Sequence, residues 1–214
     1  MKRAMALSIA QNLVEEISPV CDRIQIAGSL RREKHEVKDI EIVAIPAMGE
    51  THVIDMFGNI LESKKCSTLD TLLDFNLGQE AFAWEKDEEL KRWGPRYKRL
   101  RHRETGICCD LFFTTERGWG GCLAIRTGPW DFSRALVTLA RRQGKHVADG
   151  YLIHHHPKPK CGCSKGAGCP LIVPTPEEAD FFAEIDLPWI EPVERAASWV
   201  WEKAKKRIFR EVEG

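Results

Sequence analysis

The sequence predicts an α/β (α+β) fold, in which a mixed sheet with flanking helices is followed by a smaller, helical lobe. The composition, with 43% hydrophobic and 30% charged residues, is that of an ordinary globular protein. Strand-like and helix-like segments mix up to about residue 126, and helical patterns follow. The shift near Gly128 therefore divides the chain into residues 1–126 and residues 127–214, of which the second contains a Cys/His-rich loop at 151–170.

The first lobe begins with an apolar stripe at helical spacing, which predicts a helix over residues 4–18. Strands are predicted at 23–27, 40–45, 96–102 and 107–114, and all of these except the basic stretch 96–102 are rich in apolar residues. A helix is expected over residues 67–78, because Ser67 can cap its start and Gly78 can end it. The polar stretch 84–95 is expected to be a surface connection.

The second lobe opens with a Thr-Gly-Pro turn at 127–129, followed by an amphipathic helix over about residues 131–143. Residues 154–176 are rich in His, Pro, Gly and Cys, which predicts a loop. Pro176 suits the first position of a short, capped acidic helix. A last helix, rich in Trp and charged residues, is expected over about residues 193–212.

Charge is distributed unevenly, although the formal net charge is zero. Residues 91–103 hold seven Lys or Arg and no acid. Such a stretch is either a solvated basic strand or a face that binds the phosphates of a nucleic acid. For the second interpretation the candidate contacts are Arg96, Lys98, Arg99 and Arg101.

The sequence shows no sign of export or of a membrane span. Its N-terminus has a basic start but no long apolar run, and no segment approaches the ~20 apolar residues that a bilayer crossing needs. We therefore expect a cytoplasmic protein without a membrane partner. In a reducing compartment its eight cysteines are expected to be thiols or metal ligands.

A Gly-Ser turn follows the strand at 23–27 and is suited to an anionic ligand. Gly28 has no Cβ, so the backbone can approach such a ligand closely, and peptide N–H groups and the Ser29 hydroxyl can donate to phosphate oxygens. Arg31 and Arg32 add positive charge beside the turn.

Three carboxylates stand in otherwise apolar strands. Asp39 and Glu41 alternate, so both project from one face of a strand. Asp110 is a lone acid in a second apolar strand, and it joins the pair if the two strands are neighbours. Burying unpaired charge is costly, and oxygen ligands suit Mg²⁺. Three such carboxylates can hold two ions, as in two-metal catalysis.

These motifs resemble the nucleotidyltransferase pattern in the version found in family X DNA polymerases, the DNA polymerase beta family. The shared pattern is G-S-x-R-R from Gly28, an acid pair eleven residues after the glycine, and a later Asp on an apolar strand. The Thr-Gly turn with its helix and the segment PTPEEADFFAEIDLPWIEPVER are similar to two further segments of the family. The resemblance covers the catalytic core, from about residue 4 to Arg195, and implies a nucleotidyltransferase palm followed by a thumb-like lobe.

The resemblance assigns roles to individual residues. It implies that the nucleotide is bound by Gly28, Ser29, Arg32, Thr127, Gly128 and Ser133. Asp39, Glu41 and Asp110 would hold two Mg²⁺ or Mn²⁺ ions, with Asp110 acting on the primer 3′-hydroxyl. Arg134 would lie near the template.

The activity that the resemblance implies is a DNA polymerase that adds dNTPs to a primer 3′-hydroxyl by a two-metal-ion mechanism. Its expected role is gap filling or repair on gapped DNA or a primer–template, as a monomer. The alternative is a template-independent nucleotidyltransferase that acts on RNA, a small molecule or a protein. A non-catalytic nucleic-acid-binding module is disfavoured, because three carboxylates would repel a polyanion.

The sequence departs from the family in three places. Glu41 stands where related proteins usually carry Asp, and Pro129 stands where the Thr-Gly motif usually continues with Ser. Ile125 and Arg126 replace an aromatic pair that helps the family exclude ribonucleotides.

The Cys/His-rich loop is a candidate zinc site. Three cysteines and one of three consecutive histidines could form a tetrahedral Cys₃His set, with the candidate ligands Cys161, Cys163, Cys169, His154, His155 and His156. The alternatives are a loop of free thiols, or another metal or redox role.

Overall fold

A computed structural model describes residues 1–87, 93–154 and 168–212. Its main sheet has the strand order β1-β2-β8-β7-β5, with β6 paired to β7. Its strands are β1 Cys21–Ile26, β2 Asp39–Pro46, β5 Trp84–Lys86, β6 Trp93–Gly94, β7 Tyr97–His102 and β8 Cys108–Phe113. The β2–β8 pair is parallel and the other pairs are antiparallel, so the sheet is mixed, as predicted.

Helices cover one face of this sheet. They are α1 Arg3–Ile17, the single turn α2 Gly28–Arg31 and α3 Thr68–Asn76. The apolar stripe of α1 packs with alternate residues of β2, β7 and β8 in one buried cluster. Alternate side chains of the central strands therefore fill a core, and the residues between them point to the opposite face.

Four strands of the first lobe, β3 to β6, were not predicted from the sequence. β3 Met48–Ile54 and β4 Ile60–Ser67 form an antiparallel hairpin of their own. Nearly all of its described side chains are partly or fully exposed, so its sequence lacks the alternation that marks a half-buried strand. The expected surface connection at 84–95 is wrong in part, because β5 and β6 lie within it and pair with β7.

The second lobe is built mainly from helices, as predicted, but it also contains a sheet. The helix α4 Trp119–Thr127 spans the predicted boundary at residue 126, and α5 Trp130–Arg142, α6 Glu178–Glu184 and α7 Ala197–Val212 follow it. A small antiparallel sheet of order β11-β10-β9 joins β9 Lys145–Ala148, β10 Tyr151–His154 and β11 Ile172–Val173. The helices α5, α6 and α7 share a second apolar core centred on Phe132, Phe181 and Phe182.

The start of α6 lies later than predicted. Glu177, rather than a residue before Pro176, is the N-cap, and its side chain forms a capping box with Asp180. The acidic run therefore serves the helix terminus directly. None of the helices in the described residues combines the length and apolar character that crossing a membrane would require.

Candidate active site

Strand register brings the three predicted carboxylates to one face of the sheet. Glu41 of β2 lies directly opposite Asp110 of β8 in the parallel pair, and Asp39 lies opposite Cys108. The intervening residues Ile40 and Cys109 are fully buried in the core on the other face. Asp39, Glu41 and Asp110 therefore project together on the side opposite α1.

Asp110 is held by two side chains of the neighbouring strand β7. Arg99, its register partner, donates from Nε to Oδ1 at 2.5 Å and from Nη2 to Oδ2 at 2.7 Å. The Tyr97 hydroxyl also donates to Oδ1, at 2.5 Å. With Asp110 only 7% exposed, this charge is compensated inside the protein.

Glu41 has no comparable partner. Burial, and after it the charge of Asp39, raises the pKa of Glu41 to about 7, and Asp110 adds to the effect. Arg126 and Arg32 act in the opposite direction. Within the described ranges the side chains of Asp39 and Glu41 form neither a hydrogen bond nor an ion pair. These two carboxylates are thus the ones whose charge a bound cation would neutralise.

The position of the Glu41 carboxylate requires a glycine at residue 28. Its φ is +61°, and a Cβ there would lie 2.1 Å from Glu41 Oε2. The Glu41 carboxylate therefore occupies the space that any other residue type would fill at position 28. The sequence indicated a glycine that admits an anionic ligand, and the anion nearest to it is a side chain of the protein itself.

The turn after Gly28 presents polar atoms that lack partners. Ser29 Oγ and Arg32 Nε are shielded from solvent, and neither has a hydrogen-bond partner in the part of the chain that the structure describes. Arg32 Nη1 donates to the Thr127 carbonyl at 2.5 Å. A buried hydroxyl and a guanidinium N–H without partners, next to three carboxylates, are suited to the oxygens of an anionic ligand.

The other predicted nucleotide contacts lie around the start of α5. Thr127 is fully buried and its hydroxyl accepts from Arg31 at 2.8 Å, so it supports the two arginines rather than facing open space. Gly128 packs against the first turn of α5, and Ser133 Oγ donates to the Ile125 carbonyl at 2.7 Å.

The basic strand is not an uncompensated positive face. Each of the four predicted nucleic-acid contacts on it pairs with an acid from outside the basic stretch: Arg96 with Asp149, Lys98 with Asp70, Arg99 with Asp110 and Arg101 with Asp87. Lys98 is only 4% exposed and its ammonium lies over the Trp93 ring. Arg134, by contrast, is exposed and stacks on the Trp130 ring at 4.5 Å.

A buried ion-pair network joins the turn to the second lobe. Arg31 donates to both oxygens of Glu178, at 2.9 and 2.7 Å, and Arg195 reaches the same carboxylate at 2.9 Å. Sequence reasoning assigned no role to this network. The only signal was the presence of Arg31 beside Arg32 and of a Glu and an Arg in the C-terminal segment.

Metal ligands can be placed only in part. In the ranges that the structure describes, no three Asp, Glu, His or Cys side chains already converge as a ligand cluster. Of the predicted zinc ligands, His154 is exposed at the end of β10 and Cys169 is buried beside Ile172. His155, His156, Cys161 and Cys163 lie outside the described residues, so the zinc site stays a prediction.

The raised pKa of Glu41 predicts how the stability of the metal-free protein depends on pH. A carboxyl group whose pKa is higher in the folded state binds its proton more tightly there, so its contribution to stability falls as pH rises from about 4.5 to about 7. Glu41→Gln removes this titration. We expect its stability relative to wild type to rise by about 2–3 kcal/mol between pH 5 and pH 7.5, measured by urea unfolding in chelator. Equal pH profiles would contradict the assignment.

Comparison with known proteins identifies relatives of both lobes. Residues 122–196 match the family model described as DNA polymerase beta thumb. The chain is also 27% identical over 172 residues to DNA polymerase lambda of Rattus norvegicus. That alignment covers 78% of this chain but only 28% of the relative, so the chain spans little more than a quarter of the length of that protein.

Proposed function

We propose that this chain, a family X polymerase-like protein, is a DNA polymerase that adds dNTPs to a primer 3′-hydroxyl in gaps of duplex DNA. The observation that carries the proposal is the parallel register of Glu41 with Asp110, with Asp39 on the same face. Glu41 also lies against Gly28, which opens a turn whose Ser29 hydroxyl and Arg32 Nε–H have no partner among the described residues. Carboxylates for cations and donors for phosphates are what nucleotidyl transfer requires.

The residues present fit a pair of divalent cations. Asp39 and Glu41 supply oxygen ligands without competing ion pairs, and Asp110 supplies a third. Bound Mg²⁺ or Mn²⁺ would lower the pKa of the primer hydroxyl and neutralise charge on the phosphates. The protein's own part is to hold the triphosphate through Ser29 and Arg32 and to supply the carboxylate ligands.

A DNA partner is supported by the similarity to DNA polymerase lambda and by the match to a polymerase thumb. Since the predicted strand cations have internal partners, DNA contact depends on groups that remain exposed, such as Arg134. Arg96 and Arg101 keep part of their surface accessible and can contribute at the edge. The resulting DNA binding should weaken as salt rises.

The test is primer extension with Mg²⁺ or Mn²⁺ on three substrates: a one-nucleotide gap, an open template and a bare single strand. We expect the templated nucleotide to be added, best at the gap. Asp110→Asn should reduce incorporation by roughly a thousandfold or more, since it removes an anionic oxygen ligand of the proposed cation and leaves Arg99 without its ion pair. The matched control is Asp87→Asn, another buried aspartate paired with an arginine, which should keep activity if it remains folded.

The substrates separate the competing functions. Addition of any nucleotide to the bare strand would identify a template-independent transferase. Absence of incorporation on all three, by protein shown to be folded, would overturn the polymerase proposal.

A further inference from the structure

Asp110 is the most heavily hydrogen-bonded of the three carboxylates. The Arg99 guanidinium donates two hydrogen bonds to it, and the Tyr97 hydroxyl donates a third. The side chains of Asp39 and Glu41 have no such partners in the described residues. Arg99 lies opposite Asp110 in the β7–β8 ladder, so backbone pairing fixes the approach of its guanidinium. The sequence had suggested Arg99 as a nucleic-acid contact, and the structure turns it towards the carboxylates instead.

The three bonds use up most of the acceptor capacity of Asp110. A carboxylate has about four lone-pair positions, two on each oxygen. Oδ1 accepts from both Arg99 Nε and Tyr97 Oη, and Oδ2 accepts from Arg99 Nη2. One position, on Oδ2, is left.

The positive charge of Arg99 also weakens the attraction of Asp110 for a cation. Its side chain is only 17% exposed and the Asp110 side chain 10%, so their attraction is weakly screened. A cation approaching Asp110 therefore meets a carboxylate that is already neutralised.

We propose that Arg99, assisted by Tyr97, is a positioning residue that leaves Asp110 a single oxygen, Oδ2, for one divalent cation and makes that cation compete with the ion pair. The inference rests on the proposed function, because it concerns how the same carboxylates bind metal. It has a signature that a merely structural arginine lacks. Removing Arg99 should tighten cation binding and at the same time slow turnover, since the carboxylate gains charge but loses its orientation.

The decisive variant is Arg99→Met, which keeps the length of the side chain and removes both charge and donors. Mn²⁺ binding is measured directly by electron paramagnetic resonance in the absence of nucleotide and DNA. We expect the dissociation constant for Mn²⁺ to fall about tenfold, in keeping with the loss of a charge-assisted competitor. In single-nucleotide incorporation kcat should fall by roughly a hundredfold while KM for the dNTP changes little.

Three further variants separate charge from orientation. Arg99→Lys keeps the positive charge but loses the pair of guanidinium hydrogen bonds. The affinity for Mn²⁺ should therefore stay near that of wild type, while kcat still falls. Tyr97→Phe removes one donor and should give a smaller change of the same kind. Arg101→Met, the next residue on the same face of β7, has Asp87 as its partner and should leave Mn²⁺ affinity unchanged.

The outcomes distinguish the inference from the proposed function. Wild type that binds Mn²⁺ and incorporates nucleotides, with Arg99→Met matching it in both, overturns the positioning role. Arg99→Met that binds Mn²⁺ more weakly also overturns it, because the arginine then supports the site only structurally. Wild type that neither binds Mn²⁺ nor incorporates nucleotides overturns the proposed function instead. If Arg99→Met does not fold, Tyr97→Phe decides by the same two measurements.

Discussion

Replacing Gly28 by alanine is expected to reduce nucleotide incorporation by roughly a hundredfold while the protein stays folded. The added methyl group would lie 2.1 Å from Glu41 Oε2 and 2.9 Å from its carboxyl carbon. The end of the Glu41 side chain is flexible, so it would swing away rather than disrupt the core. Activity suffers because the displaced group is a proposed metal ligand.

The test combines Gly28→Ala with Glu41→Asp. Aspartate is shorter by one methylene, so it vacates the space that the new methyl group needs. We expect the double variant to be more active than Gly28→Ala alone. Incorporation by all four proteins of the cycle, measured at saturating Mn²⁺, gives the coupling between the two positions.

Gly106→Ala is the matched control for backbone strain. Gly106 has a φ of +70°, close to that of Gly28, but a Cβ there would meet nothing within 4 Å. Both alanines should cost about 1–2 kcal/mol of stability for the left-handed backbone, and only Gly28→Ala should lose activity. Gly28→Ala with wild-type activity would show that the Glu41 carboxylate need not lie over the turn.

Replacing Glu178 by glutamine should lower the free energy of unfolding by about 3–5 kcal/mol. Glu178 is buried and receives hydrogen bonds from Arg31 and charge from Arg195, whose side chain is fully buried. The neutral amide cannot compensate two guanidinium groups, so at least one charge stays buried and unpaired. Urea unfolding measures the loss.

Glu177→Gln is the control for that experiment. The neighbouring Glu177 pairs with Arg23 at an equally short 2.7 Å but is exposed. A solvent-exposed ion pair contributes little to the free energy of unfolding, and the amide oxygen of glutamine can still accept the capping hydrogen bond. The decrease in the free energy of unfolding should therefore stay within about 1 kcal/mol. Equal losses for the two variants would mean that the buried Glu178 network contributes no more to stability than an exposed ion pair.

Local sequence patterns predicted many of the helices and strands of this protein and its three candidate metal ligands. The spacing of apolar residues predicted α1 and α5, because a half-buried helix carries its periodicity in its own sequence. A capping serine and a closing glycine predicted α3, and four strands of the main sheet were also predicted. The sequence also indicated Asp39, Glu41 and Asp110 as candidate metal ligands, because each stands in an apolar strand and burying an unpaired charge is costly. The hairpin of β3 and β4 carries no such pattern, because both of its faces are open to solvent.

Tertiary structure decided what the charged groups do. Seven cations at 91–103 suggest a basic face, yet Asp70, Asp87, Asp110 and Asp149 come from four separate parts of the chain to neutralise the four that were singled out. Likewise Gly28 admits the Glu41 side chain, and Arg31 meets Glu178, 147 residues away. A side chain's periodicity is local, but its electrostatic partner is set by strand register and lobe packing. The sequence therefore predicted which carboxylates form the candidate site. Only the fold showed that Asp110 is paired with Arg99, while Asp39 and Glu41 have no ion pair among the described residues.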